Sequence, residues 1–268
     1  MTNNKNSKIY LITGASKGIG FDLAQRLTAS GHRVIGLARS APKRPYTFDF
    51  FQADLTDVTS QRACMDYIDT AYKRLDGVIN NAGIGYGGAV EELPIDAFNK
   101  TLQLNVIAVD QLNRLALPLL KASQGIIMHI GSVAGDLAIP FQAYYSASKA
   151  ALERYSEALR NELKPFKVRV VTIKPGDTQS EFGANRQKII QEQSPYASRI
   201  RRSLKRMEQD EKTGMPTESV YRVVRRLIDR KNPPVSVTVG ASYRVLQGLN
   251  RLLPKRFVQW LIYQLYGK

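Results

Sequence analysis

The chain holds a single cysteine, Cys64, among 268 residues. One thiol cannot build a disulfide framework and has no partners at metal-ligand spacing, so no structural metal is expected and a reducing cytosol fits best. Long apolar runs are also missing. No stretch approaches the eighteen or so apolar residues that span a bilayer, and the first residues, MTNNKNSK, lack the apolar segment of an export signal. Acid is scarce: 23 Asp and Glu stand against 39 Lys and Arg, for a formal net charge of +16. The imbalance is concentrated from Arg186 onward, with 18 Lys and Arg against 6 Asp and Glu. Such a surface attracts polyanions in general, but no nucleic-acid-binding motif is present, and nucleic acid is not expected as a partner. There is no internal repeat and no low-complexity linker. With 43% hydrophobic residues, the chain 1–268 reads as a single domain around one core.

What is present is alternation. Short β-branched runs end at Thr13, Ala38, Ala53, Asn80, Ile130, Ile173 and Val239. Helical periods lie between them over Ile19 to Ser30, Ser60 to Arg74, Ile95 to Lys121 with a break near Asn105, Ala143 to Lys164, and Thr217 to Arg230. Runs of this kind predict an α/β fold, a doubly wound parallel sheet of seven strands, with a C-terminal helical extension. One crossover is missing. SAPKRPY, between the second and third strands, is too short and too rich in proline for a helix, so the sheet there must be bare or covered by another element.

The first strand runs into TGASKGIG, placing Gly14, Ser16, Lys17, Gly18, Ile19 and Gly20 in a tight turn that opens a helix. Glycines allow close backbone approach, and the free amides of a helix start attract a pyrophosphate. Dinucleotide folds place an acid after the second strand; here Ala38 is followed by Arg39 and Ser40. Arg39 and Lys17 would flank a 2′-phosphate, which predicts NADP(H) in preference to NAD(H). After the third strand, Asp54 can accept from an adenine amine and Leu55 can cover the ring. NNAG ends the fourth strand, with Asn81, Ala82 and Gly83 as candidate cofactor contacts and Asn80 open between a contact and a structural tie.

Ser132 stands at the end of the fifth strand, and the next helix carries YYSASK. Tyr145 and Lys149, four apart, share one helical face. A phenol ordinarily titrates near pH 10, and a neighbouring ammonium favours the phenolate. Tyr145 is therefore the candidate general acid and base, Ser132 a hydrogen bond to the same oxygen, and Lys149 the tuning cation and a ribose contact. Asn105 would interrupt its helix and complete a proton relay. Tyr144 has no lysine at that spacing.

In order along the chain, TGASKGIG, NNAG, Asn105, Ser132, YSASK and KPG resemble the short-chain dehydrogenase/reductase family over about residues 8 to 180. The resemblance implies a Rossmann-like sheet in the order 3-2-1-4-5-6-7, homodimers or homotetramers, and Pro175, Gly176 and Thr178 or Ser180 beside the nicotinamide. It implies NADPH-dependent reduction of a carbonyl to an alcohol, or the reverse oxidation, on an apolar ketone or aldehyde. A non-catalytic protein binding NADPH or a polyanion on the same fold is the alternative; it would be expected to have lost Tyr145 or Lys149.

The last third bears on the substrate. Residues 181–215 occupy the place of a substrate lid and include the basic run SRIRRSLKR. Residues 241–268 carry Val245, Leu246, Leu249, Leu252 and Leu253, then Phe257, Val258, Leu261, Ile262 and Leu265, at helical spacing with flanking cations. Two readings stand: helices that close the pocket or form a subunit interface, or an amphipathic contact with a membrane surface. The tail resembles relatives that act on large apolar substrates, which points to a lipid-like substrate for a cytoplasmic, membrane-peripheral protein.

Overall fold

The computed structural model describes residues 7–268; most of the polar leading segment lies outside them. Strands β1 (Ile9–Thr13), β2 (Arg33–Ala38), β3 (Asp49–Gln52), β4 (Gly77–Asn80), β5 (Ile126–Ile130), β6 (Arg169–Pro175) and β7 (Ser236–Val239) form one sheet. Every neighbouring pair is parallel and the order is 3-2-1-4-5-6-7. β3 is shorter at both ends than its apolar run.

Side chains alternate across the sheet, and the two faces take different helices. Tyr10, Ile12, Ile79, Met128 and Val171 pack on α1 (Gly18–Ala29) and α7 (Glu218–Ile228). Leu11, Ile35, Val78, Ile127 and Val170 pack on α2 (Val58–Tyr72), α4 (Ala108–Ser123) and α5 (Ala143–Leu163). Both faces being buried is what makes the strands continuously apolar.

Aromatic side chains stand in for the missing crossover helix. Phe48, just before β3, is buried and meets Phe21 of α1 edge-on at 5.8 Å, while Tyr46 lies against Phe48 and Phe50. The Arg44 guanidinium covers the Phe21 ring at 3.7 Å. Gly36 in β2 makes this possible, since a Cβ there would lie 2.5 Å from the Phe48 ring.

The long helical period over 95–121 is divided into α3 (Ala97–Leu102), a π turn at Gln103–Ile107, and α4. The last third adds α6 (Ala197–Lys212), α8 (Ala241–Leu252) and α9 (Lys255–Ile262). Two parallel pairs of two residues each hold the lid segment to the domain: Tyr86–Gly87 with Gln187–Lys188, and Thr178–Gln179 with Met215–Pro216. No helix is long and apolar enough to cross a membrane among the described residues.

Candidate active site

The strands deliver their C-terminal ends to one edge, where the loops enclose a cavity of about 1120 Å³. Its wall brings together Gly14, Ser16, Lys17, Gly18 and Ile19 after β1, Arg39 and Ser40 after β2, and Asp54 and Leu55 after β3. Asn81, Ala82 and Gly83 follow β4, Ser132 follows β5, Tyr145 and Lys149 project from α5, and Pro175, Gly176 and Thr178 lie at the end of β6. Two residues expected in the site, Gly20 and Asn105, do not line the cavity.

Gly20 stands behind the loop. A Cβ there would collide with the Gly14 carbonyl and the Asn81 amide, so its task is close packing of the helix start. Gly14 and Gly18 have φ of +68° and +57°, which glycine adopts without strain. No side chain caps α1 at Lys17. The first amides of the helix therefore have no intrahelical acceptor, and this start fits an anionic pyrophosphate. Lys17 Nζ donates instead to Asn185 Oδ1 of the lid, and Asp54 Oδ1 accepts from the amide and hydroxyl of Thr56 at 2.8 Å.

Asn80 resolves to a structural tie. Its Nδ2 donates to Asn113 Oδ1 at 2.9 Å, in a buried chain that continues to His129 and Ser156. Burial, with a contribution from Lys149, pulls His129 down to about 3, so it stays neutral. Asn105 sits in the π turn, where its Oδ1 accepts from the Ile84 amide at 2.9 Å and its Nδ2 donates to the Ile84 carbonyl and Ser148 Oγ at 3.0 and 2.9 Å. It braces the loop after β4 against α5.

Ser132 Oγ accepts from the Ala134 amide at 3.1 Å, leaving its proton to turn toward Tyr145. Burial pushes the Tyr145 phenol up to about 12, offset in part by the Ser132 hydroxyl and the charge of Arg186. Burial also pulls Lys149 down to about 8. Its Nζ donates to the Ile130 carbonyl at 2.7 Å and lies 5.6 Å from the centre of the Tyr145 ring. The sequence suggests that Lys149 lowers the phenol pKa; instead desolvation prevails, and what offsets it is the Ser132 hydrogen bond and the Arg186 charge. Tyr144 is stacked on Phe98 at 4.7 Å, off the cavity wall.

Several wall residues carry no sequence signal of their own. Phe182 lies 5.2 Å from the Tyr145 ring, and Asp177, Arg186 and Glu211 form a charged group beyond it. They fall in and around residues 181–215. Helices α8 and α9 supply an apolar wall through Leu246, Leu249, Leu253, Val258, Leu261 and Leu265.

Residues 8–190 match the short chain dehydrogenase profile. The chain is 35% identical to a 3-ketodihydrosphingosine reductase of Bacteroides thetaiotaomicron, over 97% of this chain and 98% of that one. It is 29% identical to an NADPH-dependent 3-dehydrocapnine reductase of Ornithobacterium rhinotracheale, over 95% of each. Among solved structures, a short-chain dehydrogenase from Streptomyces avermitilis superposes with a TM-score of 0.80 at 26% identity, over 97% of both chains. With these matches added to the sheet order and the cavity at its C-terminal edge, the chain belongs to the short-chain dehydrogenase family, as an oxidoreductase of CH–OH and keto groups that uses NAD(P).

Proposed function

We propose that the protein reduces the ketone of a long-chain lipid to an alcohol with NADPH, and that Tyr145 supplies the proton. The observation that carries this reading is the continuity of one cavity from the glycine loop, past Ser132, Tyr145 and Lys149, to the apolar wall of α8 and α9. Bound NADPH supplies the hydride. Gly14, Ser16, Gly18 and Ile19 would hold its pyrophosphate, and Asp54 and Leu55 its adenine. Asn81, Ala82 and Gly83 would flank the dinucleotide, and Pro175, Gly176 and Thr178 its nicotinamide. Arg39 and Ser40, which follow β2 where dinucleotide folds place an acid, suit a 2′-phosphate, with Lys17 able to turn back from Asn185.

The chain's own residues manage the proton. Tyr145, a phenol held further above physiological pH by its burial, is in the protonated state needed to donate to a carbonyl oxygen. Ser132 Oγ hydrogen-bonds the same oxygen, and Lys149 holds ribose hydroxyls. Asn105 keeps α5 in register with the loop after β4. Residues 181–215 close over the substrate, and the outer face of residues 241–268 rests on a membrane surface from which a lipid enters. The Bacteroides and Ornithobacterium relatives support the keto-lipid and NADPH choices. The test is NADPH oxidation against long-chain ketones and small aldehydes. Tyr145→Phe is expected to lose turnover by a factor of at least about 10² while NADPH still binds; retained turnover would refute the assignment.

A further inference from the structure

The cavity wall changes character beyond Tyr145. Arg186 leaves the lid immediately before the two-residue pair with Tyr86–Gly87, and this pairing lays its stem over Gly87, where a Cβ would lie 3.2 Å from Arg186 Cδ. Its side chain is only 2% exposed. Nη2 donates to Glu211 Oε1 of α6, but among the described residues Nε and Nη1 have no hydrogen-bond partner. A guanidinium cannot shed its charge, and buried donors left unmatched are costly. A residue kept in this state on the wall of a substrate cavity lacks an acceptor.

The surrounding charge points the other way. Glu211 and Asp177 both line the cavity. Tyr243 donates to Asp177, and a Cβ on Gly183 would fall on the Glu211 carboxylate, so Gly183 leaves that carboxylate room. Asp210, close by, is already taken up by Arg206 and the Tyr266 hydroxyl. The wall therefore offers two carboxylates against one guanidinium. Burial drives both carboxyls above their ordinary range, with the charge of Arg186 only partly opposing it. An incoming group that satisfied this wall would bring an oxygen acceptor and a cation together.

Resting on the ketone-reductase reading above, we propose that Arg186, Glu211 and Asp177 form a head-group subsite for an amino ketone. Arg186 donates to a head-group oxygen, Glu211 and Asp177 hold an ammonium close to the reacting carbonyl, and the hydrocarbon chain runs along α8 and α9. Arg186, Glu211 and Asp177 line the same cavity as Tyr145, with Phe182, 5.2 Å from the Tyr145 ring, also on that wall.

Three ketones of equal chain length test the subsite with the full chain and NADPH: a 2-amino-1-hydroxy-3-ketone, its N-acetyl derivative, and the plain 3-ketone. The wild-type protein is expected to favour the free amine over the N-acetyl derivative by about tenfold or more in kcat/KM, the scale of one lost charge-assisted contact. Glu211→Gln is expected to shrink that ratio toward unity through KM, with the Kd for NADPH unchanged. Arg186→Lys, which keeps the charge but loses the fork, is expected to raise KM for the hydroxy-amine. Equal kcat/KM for the three ketones with wild type would overturn the subsite and leave the ketone reading standing. Loss of NADPH oxidation with every ketone would overturn both.

Discussion

Burial moves Tyr145 and Lys149 in opposite directions, and the consequences can be read from pH. Lys149 titrates at about 8, below its ordinary 10.5. Between those values the folded chain binds fewer protons than the unfolded one, so this residue adds stability as pH rises through the window and costs stability below it. A dinucleotide works against that trend, because its ribose hydroxyls and phosphates favour the charged ammonium. NADPH affinity is accordingly expected to fall as pH rises above about 8, by up to about tenfold per unit. Fluorescence titration from pH 7 to 9.5 reads it, and Lys149→Met should bind more weakly with a flatter profile; parallel slopes would assign the titration to another group. Arg39 bears on the other end of the cofactor. Arg39→Asp should lose NADPH affinity by about tenfold or more while NADH is spared, since a carboxylate repels the 2′-phosphate and accepts from a ribose. Comparable loss with both cofactors would remove Arg39 from phosphate recognition.

At the scale of elements, the alternation of apolar runs and helical periods made the seven strands and the glycine turn legible, because each follows from local period and turn chemistry, whereas the strand order was implied only by the resemblance to the short-chain dehydrogenase/reductase family. The wall beyond Tyr145 was not legible. Arg186 owes its position to a two-residue parallel pairing, and Glu211 to one face of a highly charged helix; neither leaves a periodic mark. The attachment of α8 is similar. Gln247 accepts from the Thr238 hydroxyl of β7 and donates to Asp136, which also pairs with the buried Lys174 at 2.9 Å. Lys174, read only as part of KPG, is thereby the root of a polar chain from the sheet to the cavity wall. Gln247→Ala removes two hydrogen bonds, one to a charged group, worth about 1 to 3 kcal/mol in all. The melting temperature is expected to drop by several degrees, about 2–4 °C per kcal/mol in a chain of this size. Amide exchange over 241–252 should quicken and KM for a long-chain ketone should rise, with NADPH affinity unmoved. Unaltered exchange in α8 would show that Gln247 does not anchor it.

For the whole molecule, charge and apolar exposure converge on one face. The formal net charge of +16 is weighted to the last third, and from Ala241 onward the chain carries Arg244, Arg251, Lys255, Arg256 and Lys268 with no acid. On the outside of the same helices Leu252 is 82% exposed, Val245 63% and Trp260 53%, with Trp260 stacked on Phe257. The inner side of α8 and α9 is already committed to the cavity, so an apolar outer side is not required by folding. An aromatic pair among cations suits the boundary of an anionic bilayer, where each Lys or Arg contributes about 1 kcal/mol at moderate salt. Trp260 is the one tryptophan of the chain, so it reports on this face alone. Vesicles containing anionic lipid should shift its emission to the blue and sediment with the protein at low salt. Zwitterionic vesicles should do neither, and about 0.5 M salt should reverse the binding by screening. Phe257→Ser should weaken vesicle binding and leave turnover of a small aldehyde intact, since the residue lies outside the cavity wall. An unshifted Trp260 spectrum with anionic vesicles at low salt would detach the C-terminal helices from any membrane role and leave them as the wall of the pocket alone.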